Sequence, residues 1–247
     1  GVAAPVALGI LQLSDAAAQE ASPVASVPAT APSSGTEGQT RGAGGPLKLL
    51  QWQAPTTLNM QLAGSFKDQL ASCLVTEPLI HFLADGTPIP CLVKEIPSKE
   101  NGLLAADLKS VTYNLLEGVL WSDGEPFTSA DVVFTWQWVT DPENASVSAG
   151  VYASIANIEA TDELTAVVSF DDPNANWAEP HAGTLWGYVY PKHILDGADA
   201  EAKKTAHDAF LLNPVGTGPY KVETFTPNDQ CIYVMNENFR DPNKPYF

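Results

Sequence analysis

A chain of 247 residues that is 45% hydrophobic and 9% aromatic carries enough apolar side chain to bury a sizeable core. Its formal charge of -17, with only 12 Lys and Arg, argues against a role in neutralising nucleic-acid phosphates and disfavours an anionic membrane surface. Acidity of this degree serves solubility first.

Gly1 to Leu13 is mostly apolar but too short to span a bilayer. With Ala16-Ala17-Ala18 after it, the stretch 1–19 reads as the remnant of a secretory signal or as a plain Ala-rich tail. Between Glu20 and Gly45 the composition narrows to Ala, Pro, Ser, Thr and Gly, too little apolar bulk to offset the entropy of folding, so 20–45 is expected to be a disordered tether.

Leu47-Lys48-Leu49-Leu50-Gln51-Trp52 predicts a buried strand stopped by Ala54-Pro55, and a helix is expected from Phe66 to Thr76. Asp85-Gly86 marks a tight turn, and prolines 88, 90 and 97 impose extended backbone around Cys91-Leu92-Val93. Val111, Tyr113 and Leu115 alternate with polar residues, the period of a half-buried strand. Ser122-Asp123-Gly124-Glu125-Pro126 is a turn, after which Thr128 and Asp131 have the spacing of a helix-opening capping box, and Val132, Trp136 and Val139, widened by Val133, give that helix an apolar stripe. Two strands joined at Thr161-Asp162-Glu163 are expected between Ile155 and Phe170, a short helix from Lys192 to Leu195, and a hairpin of 220–225 with 231–235 around Thr226-Pro227-Asn228-Asp229. The last residues, 241–247, form a turn-like stretch with no closing element, which a complete domain rarely shows.

Signatures of chemistry are sparse. There is no His-Glu-x-x-His, no Gly-x-Ser-x-Gly elbow and no phosphate-binding Gly-x-x-x-x-Gly-Lys loop. Gly216-Thr217-Gly218 precedes Pro219 and a strand pattern, whereas phosphate-cradling glycines open a helix. Ser122-Asp123-Gly124 has no second carboxylate loop to share a proton with, and His81, His181, His193 and His207 are dispersed without a metal-ligand spacing. Cys73, Cys91 and Cys231 are odd in number; in an oxidising compartment Cys73 and Cys91 could close a short disulfide, and buried free thiols account for them equally well.

Several landmarks in fixed order carry a resemblance: 51–59 (Gln51-Trp52-Gln53-Ala54-Pro55-Thr56-Thr57-Leu58-Asn59), Thr76-Glu77-Pro78-Leu79-Ile80, Asp85-Gly86-Thr87-Pro88-Ile89-Pro90, 118–134 around Trp121-Ser122-Asp123-Gly124, Gly216-Thr217-Gly218-Pro219-Tyr220 and Asn236-Glu237-Asn238-Phe239. Over roughly Leu47 to Phe247 the sequence resembles the family-5 extracellular solute-binding proteins of ABC importers. It departs from their pattern at Leu116-Glu117, Cys91-Leu92 and Ala130, and its length is about half theirs.

The resemblance implies an α/β fold of the periplasmic-binding-protein type II class, a two-lobe clamp of which this chain holds mostly lobe I with its appended subdomain: lobe core in 46–57 and 183–247, subdomain in 58–182, second lobe missing. The implied function is extracytoplasmic, non-covalent capture of peptides or similar oligomeric solutes and delivery to membrane permease subunits, with no catalytic residue, metal or cofactor and no nucleic-acid partner. The resemblance puts ligand contacts on the loop Trp52, Gln53, Ala54, Pro55 and Thr56 and on Tyr152; Trp186 and Tyr188 read either as cleft walls or as core packing. Trp121, Asp123, Gly124, Asp131, Gly216 and Gly218 read as structural. A receptor or adhesive protein on the same fold is the alternative, and a secreted hydrolase lacks a nucleophile, base and orienter set.

Overall fold

Strand alternation and turn chemistry put most of the regular structure where the sequence predicts it, in a computed structural model that describes residues 38–183 and 186–247. In chain order these form α1 (Phe66–Ser72), β1 (Ile80–Phe82), β2 (Pro88–Pro90), β3 (Ser110–Asn114), α2 (Ser129–Thr140), α3 (Ala149–Tyr152), β4 (Ile155–Asp162), β5 (Thr165–Phe170), β6 (Ala182–Gly183), α4 (Lys192–Leu195), α5 (Ala200–Phe210), β7 (Tyr220–Thr226) and β8 (Gln230–Met235). The expected signal remnant and most of the expected tether, residues 1–37, lie outside the described residues.

One antiparallel sheet has the order β3-β5-β4; a second, β2-β1-β6, has β1 antiparallel to β2 and parallel to β6; β7 and β8 make a hairpin of their own. The period of two places Val111 and Tyr113 of β3 and Ala166, Val168 and Phe170 of β5 in the core. Helix α2 packs against β4 and β5. The β1–β2 turn is the expected Asp85-Gly86 pair: Gly86 has φ +86°, and the Thr87 amide donates to Asp85 Oδ1 at 2.9 Å. Prolines 88 and 90 sit on an edge strand, where a missing N–H is tolerated.

Trp121 is buried under its turn, edge-on to Phe127 at 5.8 Å, and Gly124 closes the turn at φ +97°. Asp131 then does two jobs with one carboxylate. It accepts the Thr128 amide at 2.9 Å, which caps α2, and the Lys192 amide at 2.9 Å, which sets the start of α4. Burial holds its pKa above the usual carboxylate value despite those bonds. The expected stripe of α2 is corrected in part: Val132 and Val139 are buried, but Phe134 and Trp138 are buried where Trp136 is only half so. The reason is a second neighbour, since Trp138 donates Nε1 to His207 of α5 at 2.9 Å and meets Tyr190 edge-on at 5.0 Å. A helix enclosed from two sides buries more than one stripe.

The widely spaced landmarks converge. The Gly218 amide donates to the Val75 carbonyl at 2.8 Å, and a Cβ on Gly216 would stand 2.0 Å from that oxygen. The Ser122 amide donates to the Gly216 carbonyl at 2.9 Å; fully buried Asn236 donates Nδ2 to the Gly218 carbonyl at 2.8 Å and accepts the Asn238 amide at 3.0 Å. Arg240 forks onto Glu77 at 2.6 and 2.9 Å and donates to the Cys91 carbonyl at 3.2 Å.

Three expectations are corrected here. Residues 47–52 are not a buried strand: among the described residues no strand pairs with them, and Leu47, Leu49, Leu50 and Trp52 are all exposed, so both alternating faces point outward. The end of the expected tether is held, with the Gly42 and Gly44 amides donating to the Pro245 and Tyr246 carbonyls at 3.0 and 2.8 Å. The disulfide alternative gives way to free thiols, Cys73 exposed and Cys91 buried beside Glu77 and Arg240. Helix α5 was not foreseen. Its cue is Asp199, whose carboxylate accepts the Ala202 amide at 2.9 Å ahead of a run of helix formers.

Because a methyl group at 216 would first have to displace the Val75 backbone carbonyl, Gly216→Ala is expected to cost about 2–3 kcal/mol of stability. Urea unfolding measures it; a loss below about 0.5 kcal/mol would mean that this close approach is not a constraint.

Candidate functional site

The loop after the expected first strand divides into free and committed residues. Trp52 is 81% exposed, Gln53 is exposed and Ala54 half-buried. Pro55 is buried and its carbonyl accepts the Asn228 amide at 2.8 Å. Thr56 is tied down: its amide and hydroxyl donate to Asp68 Oδ1 at 2.6 and 3.1 Å, and Lys67 Nζ donates to the hydroxyl at 2.8 Å. Burial pushes the Asp68 carboxyl up, but the hydrogen bonds from Lys67 and from the Thr56 and Thr57 amides outweigh it and leave its pKa below the usual value. Trp52, Gln53 and Thr56 are the exposed members of this loop, and of these only Thr56 is bonded to Asp68 and Lys67.

The second feature is a surface depression of about 340 Å³, lined by Phe82, Ala175, Asn176, Ala178, Glu179, Ala182 and Trp186. Its size lies within the range of small-molecule sites. The parallel pairing of β1 with β6 brings Phe82 beside Ala182. Gly187 then lets Trp186 close the wall: at φ +82°, a Cβ there would stand 2.5 Å from the Ala182 nitrogen.

Behind this wall lies an aromatic cluster. His181 is 2% exposed, with Tyr113 at 5.0 Å and Tyr152 at 5.8 Å between ring centroids. Neither of its ring nitrogens has a hydrogen-bond partner, and burial lowers its pKa to about 3. Tyr152 and Tyr188, expected as ligand contacts or, for Tyr188, equally as core, both pack inward here. Tyr152 is 1% exposed and Tyr188 3%, and the Tyr188 carbonyl accepts Gln61 Nε2 at 3.3 Å. Trp186 is the aromatic of that group that reaches a surface. Phe82, Asn176 and Glu179 were not singled out from sequence; they come from two segments with no shared pattern and meet only through β1 and β6.

A second depression, about 330 Å³, lies at the start of α2 between Glu125, Thr128, Lys192, His193 and Asp196. Its ionic groups are partly engaged, His193 Nε2 with Asp123 Oδ2 at 2.8 Å and Asp196 with Lys203 at 3.2 Å. The other histidines contact a backbone carbonyl, in the case of His81, and Trp138, in the case of His207. Among the described residues no group of three His, Cys, Asp or Glu side chains is placed to hold a metal ion.

Residues 88–247 match the family described as bacterial extracellular solute-binding proteins, family 5 Middle. A Brucella abortus protein named as an ABC transporter peptide-binding protein is 30% identical over 138 residues, which cover 56% of this chain and 25% of that protein. The oligopeptide-binding protein OppA of Bacillus subtilis is 25% identical over 183 residues, covering 68% of this chain and 31% of OppA. Among solved structures, Listeria monocytogenes OppA bound to peptide superposes with a TM-score of 0.66 at 19% identity, over 78% of this chain and 39% of that one. The fold is thus that of the type II binding proteins, and the chain spans about a quarter to a third of the length of these curated relatives.

His181 gives a pH prediction whose sign follows from its burial. The folded chain keeps it neutral down to about pH 3, while the unfolded chain protonates it below its ordinary pKa of 6.5. Stability is therefore lost as pH falls from about 6.5 toward 3. Relative to His181→Phe, the native protein should lose up to about 1.4 kcal/mol per pH unit in that window, read from urea midpoints at pH 7, 5 and 4. Parallel pH profiles for the two proteins would show that His181 is not buried neutral.

Proposed function

The chain belongs to family 5 of the bacterial extracellular solute-binding proteins, and we propose that it supplies one face of a non-covalent receptor that captures peptides or similar oligomeric solutes for an ABC importer. The observation that carries the reading is the depression walled by Phe82 and Trp186, with Asn176 and Glu179 at its rim. Flat aromatic walls with a few polar groups hold a solute by shape and hydrogen bonding. The names of the relatives, peptide-binding and oligopeptide-binding, support the ligand class.

In this reading residues 46–57 and 183–247 belong to the first lobe and 58–182 to its subdomain, and a second lobe closes over the ligand as a hinged clamp. Trp52 and Gln53 stand free on the first-lobe loop for the same ligand. The protein acts outside the cytoplasmic membrane and hands its cargo to permease subunits. Every covalent bond of the cargo is left intact, so no nucleophile, metal or cofactor enters the cycle.

Binding to the native state must stabilise it, by about 2.7 kcal/mol when ligand is at 100 times Kd. Full-length protein screened by thermal unfolding against peptides of three to eight residues should show a clear rise in Tm for a subset. Trp186→Ala should weaken those ligands about tenfold while leaving the ligand-free Tm within about 2 °C, because Trp186 lies at the surface. Absence of any stabilising peptide would sink the reading.

A further inference from the structure

We propose that the depression beside Trp186 selects a positively charged side chain, so that the peptides it captures are those with lysine or arginine at the position lodged there. The inference rests on the peptide-binding reading and names the ligand class for that same site.

The lining is chemically one-sided. Phe82, 37% exposed, and Trp186 supply aromatic surface; Ala175, Ala178 and Ala182 supply small apolar walls. The polar members are the Asn176 amide and the Glu179 carboxylate, and among the described residues no Lys, Arg or His lines the space. Glu179 enters none of the ion pairs found among the described residues. Its backbone is nevertheless well held: the Glu179 amide donates to the Asn176 carbonyl at 3.0 Å, and the Asn176 amide to Asn174 Oδ1 at 2.8 Å.

An exposed carboxylate that enters no ion pair among the described residues and shares a hollow with two aromatic side chains suits a cation. The ring quadrupole attracts a guanidinium or ammonium, the stem of Lys or Arg packs on the alanines, and the charged head meets Glu179. An acidic side chain would face Glu179 with no cation to offset the repulsion, and an apolar one would cover the carboxylate without pairing it. The overall charge of -17 also draws cationic solutes toward the surface. None of this depends on the opposing lobe.

The test is calorimetric titration of full-length protein with pentaalanine peptides carrying lysine, norleucine or glutamate at each position in turn. At one position the lysine peptide is expected to bind at least tenfold tighter than its norleucine counterpart, and the glutamate peptide more weakly than either. In Glu179→Gln the lysine advantage should fall to threefold or less while norleucine affinity stays within threefold of native, and an unchanged Tm shows that the variant is folded. Lysine, norleucine and glutamate peptides binding alike overturns the cation preference and leaves peptide capture standing. A lysine preference that survives in Glu179→Gln overturns the assignment to this depression. If no peptide binds at all, peptide capture itself fails and takes the inference with it.

Discussion

The carbonyl of Val75 is the point on which the most distant parts of this chain close. It accepts the Gly218 amide, and Gly216 passes so near that only a hydrogen fits in place of a side chain. From that strip of backbone the Gly216 carbonyl holds the Ser122 amide and the Gly218 carbonyl holds Asn236. Asn238 then reaches back to the carbonyls of Trp121 and Ser122 at 3.4 and 3.3 Å. The end of α1, the Trp121 turn and the β7–β8 hairpin are thereby one hydrogen-bonded unit, although up to 163 positions separate Glu77 from Arg240, which brace it at the side. That ion pair is partly buried, so its geometry, forked and supplemented by the Cys91 carbonyl, matters more than its charge.

The depression beside Trp186 depends on close backbone approach in the same way. Gly183 packs under Pro78, where a Cβ would stand 2.4 Å from Cγ, and Gly187 folds the Trp186 segment onto Ala182. These contacts bring Phe82 of β1 beside Ala182 of β6. Behind the depression Tyr113, Tyr152 and His181 form a buried aromatic cluster.

Local signals proved sound wherever a short stretch of chain settles its own conformation. The Asp85-Gly86 turn, the Trp121 turn, the Thr128–Asp131 cap, the turn between β4 and β5 and the β7–β8 hairpin are all of this kind. Signals that depend on a neighbour did worse. Trp136 and Trp138 are equally apolar in sequence, and only the arrival of α5 and Tyr190 decides that Trp138 is enclosed. Leu47 to Trp52 has the composition of a buried strand, but burial requires a partner strand, and none pairs with it among the described residues. Thr56 is exposed as a ligand contact would be, but its hydroxyl is already bonded to Asp68 and Lys67.

By itself the order of residues determined the turns, the caps, the strand periodicity and the family, because each is written in interactions between residues close along the chain or in motifs held at fixed spacing. The tertiary structure alone decided which aromatics face outward, that the glycines at 216 and 218 serve backbone packing, and that Phe82, Glu179 and Trp186 share one hollow. Those outcomes turn on exclusion of volume and on hydrogen bonds between segments far apart along the chain, and no pattern local to either segment encodes them.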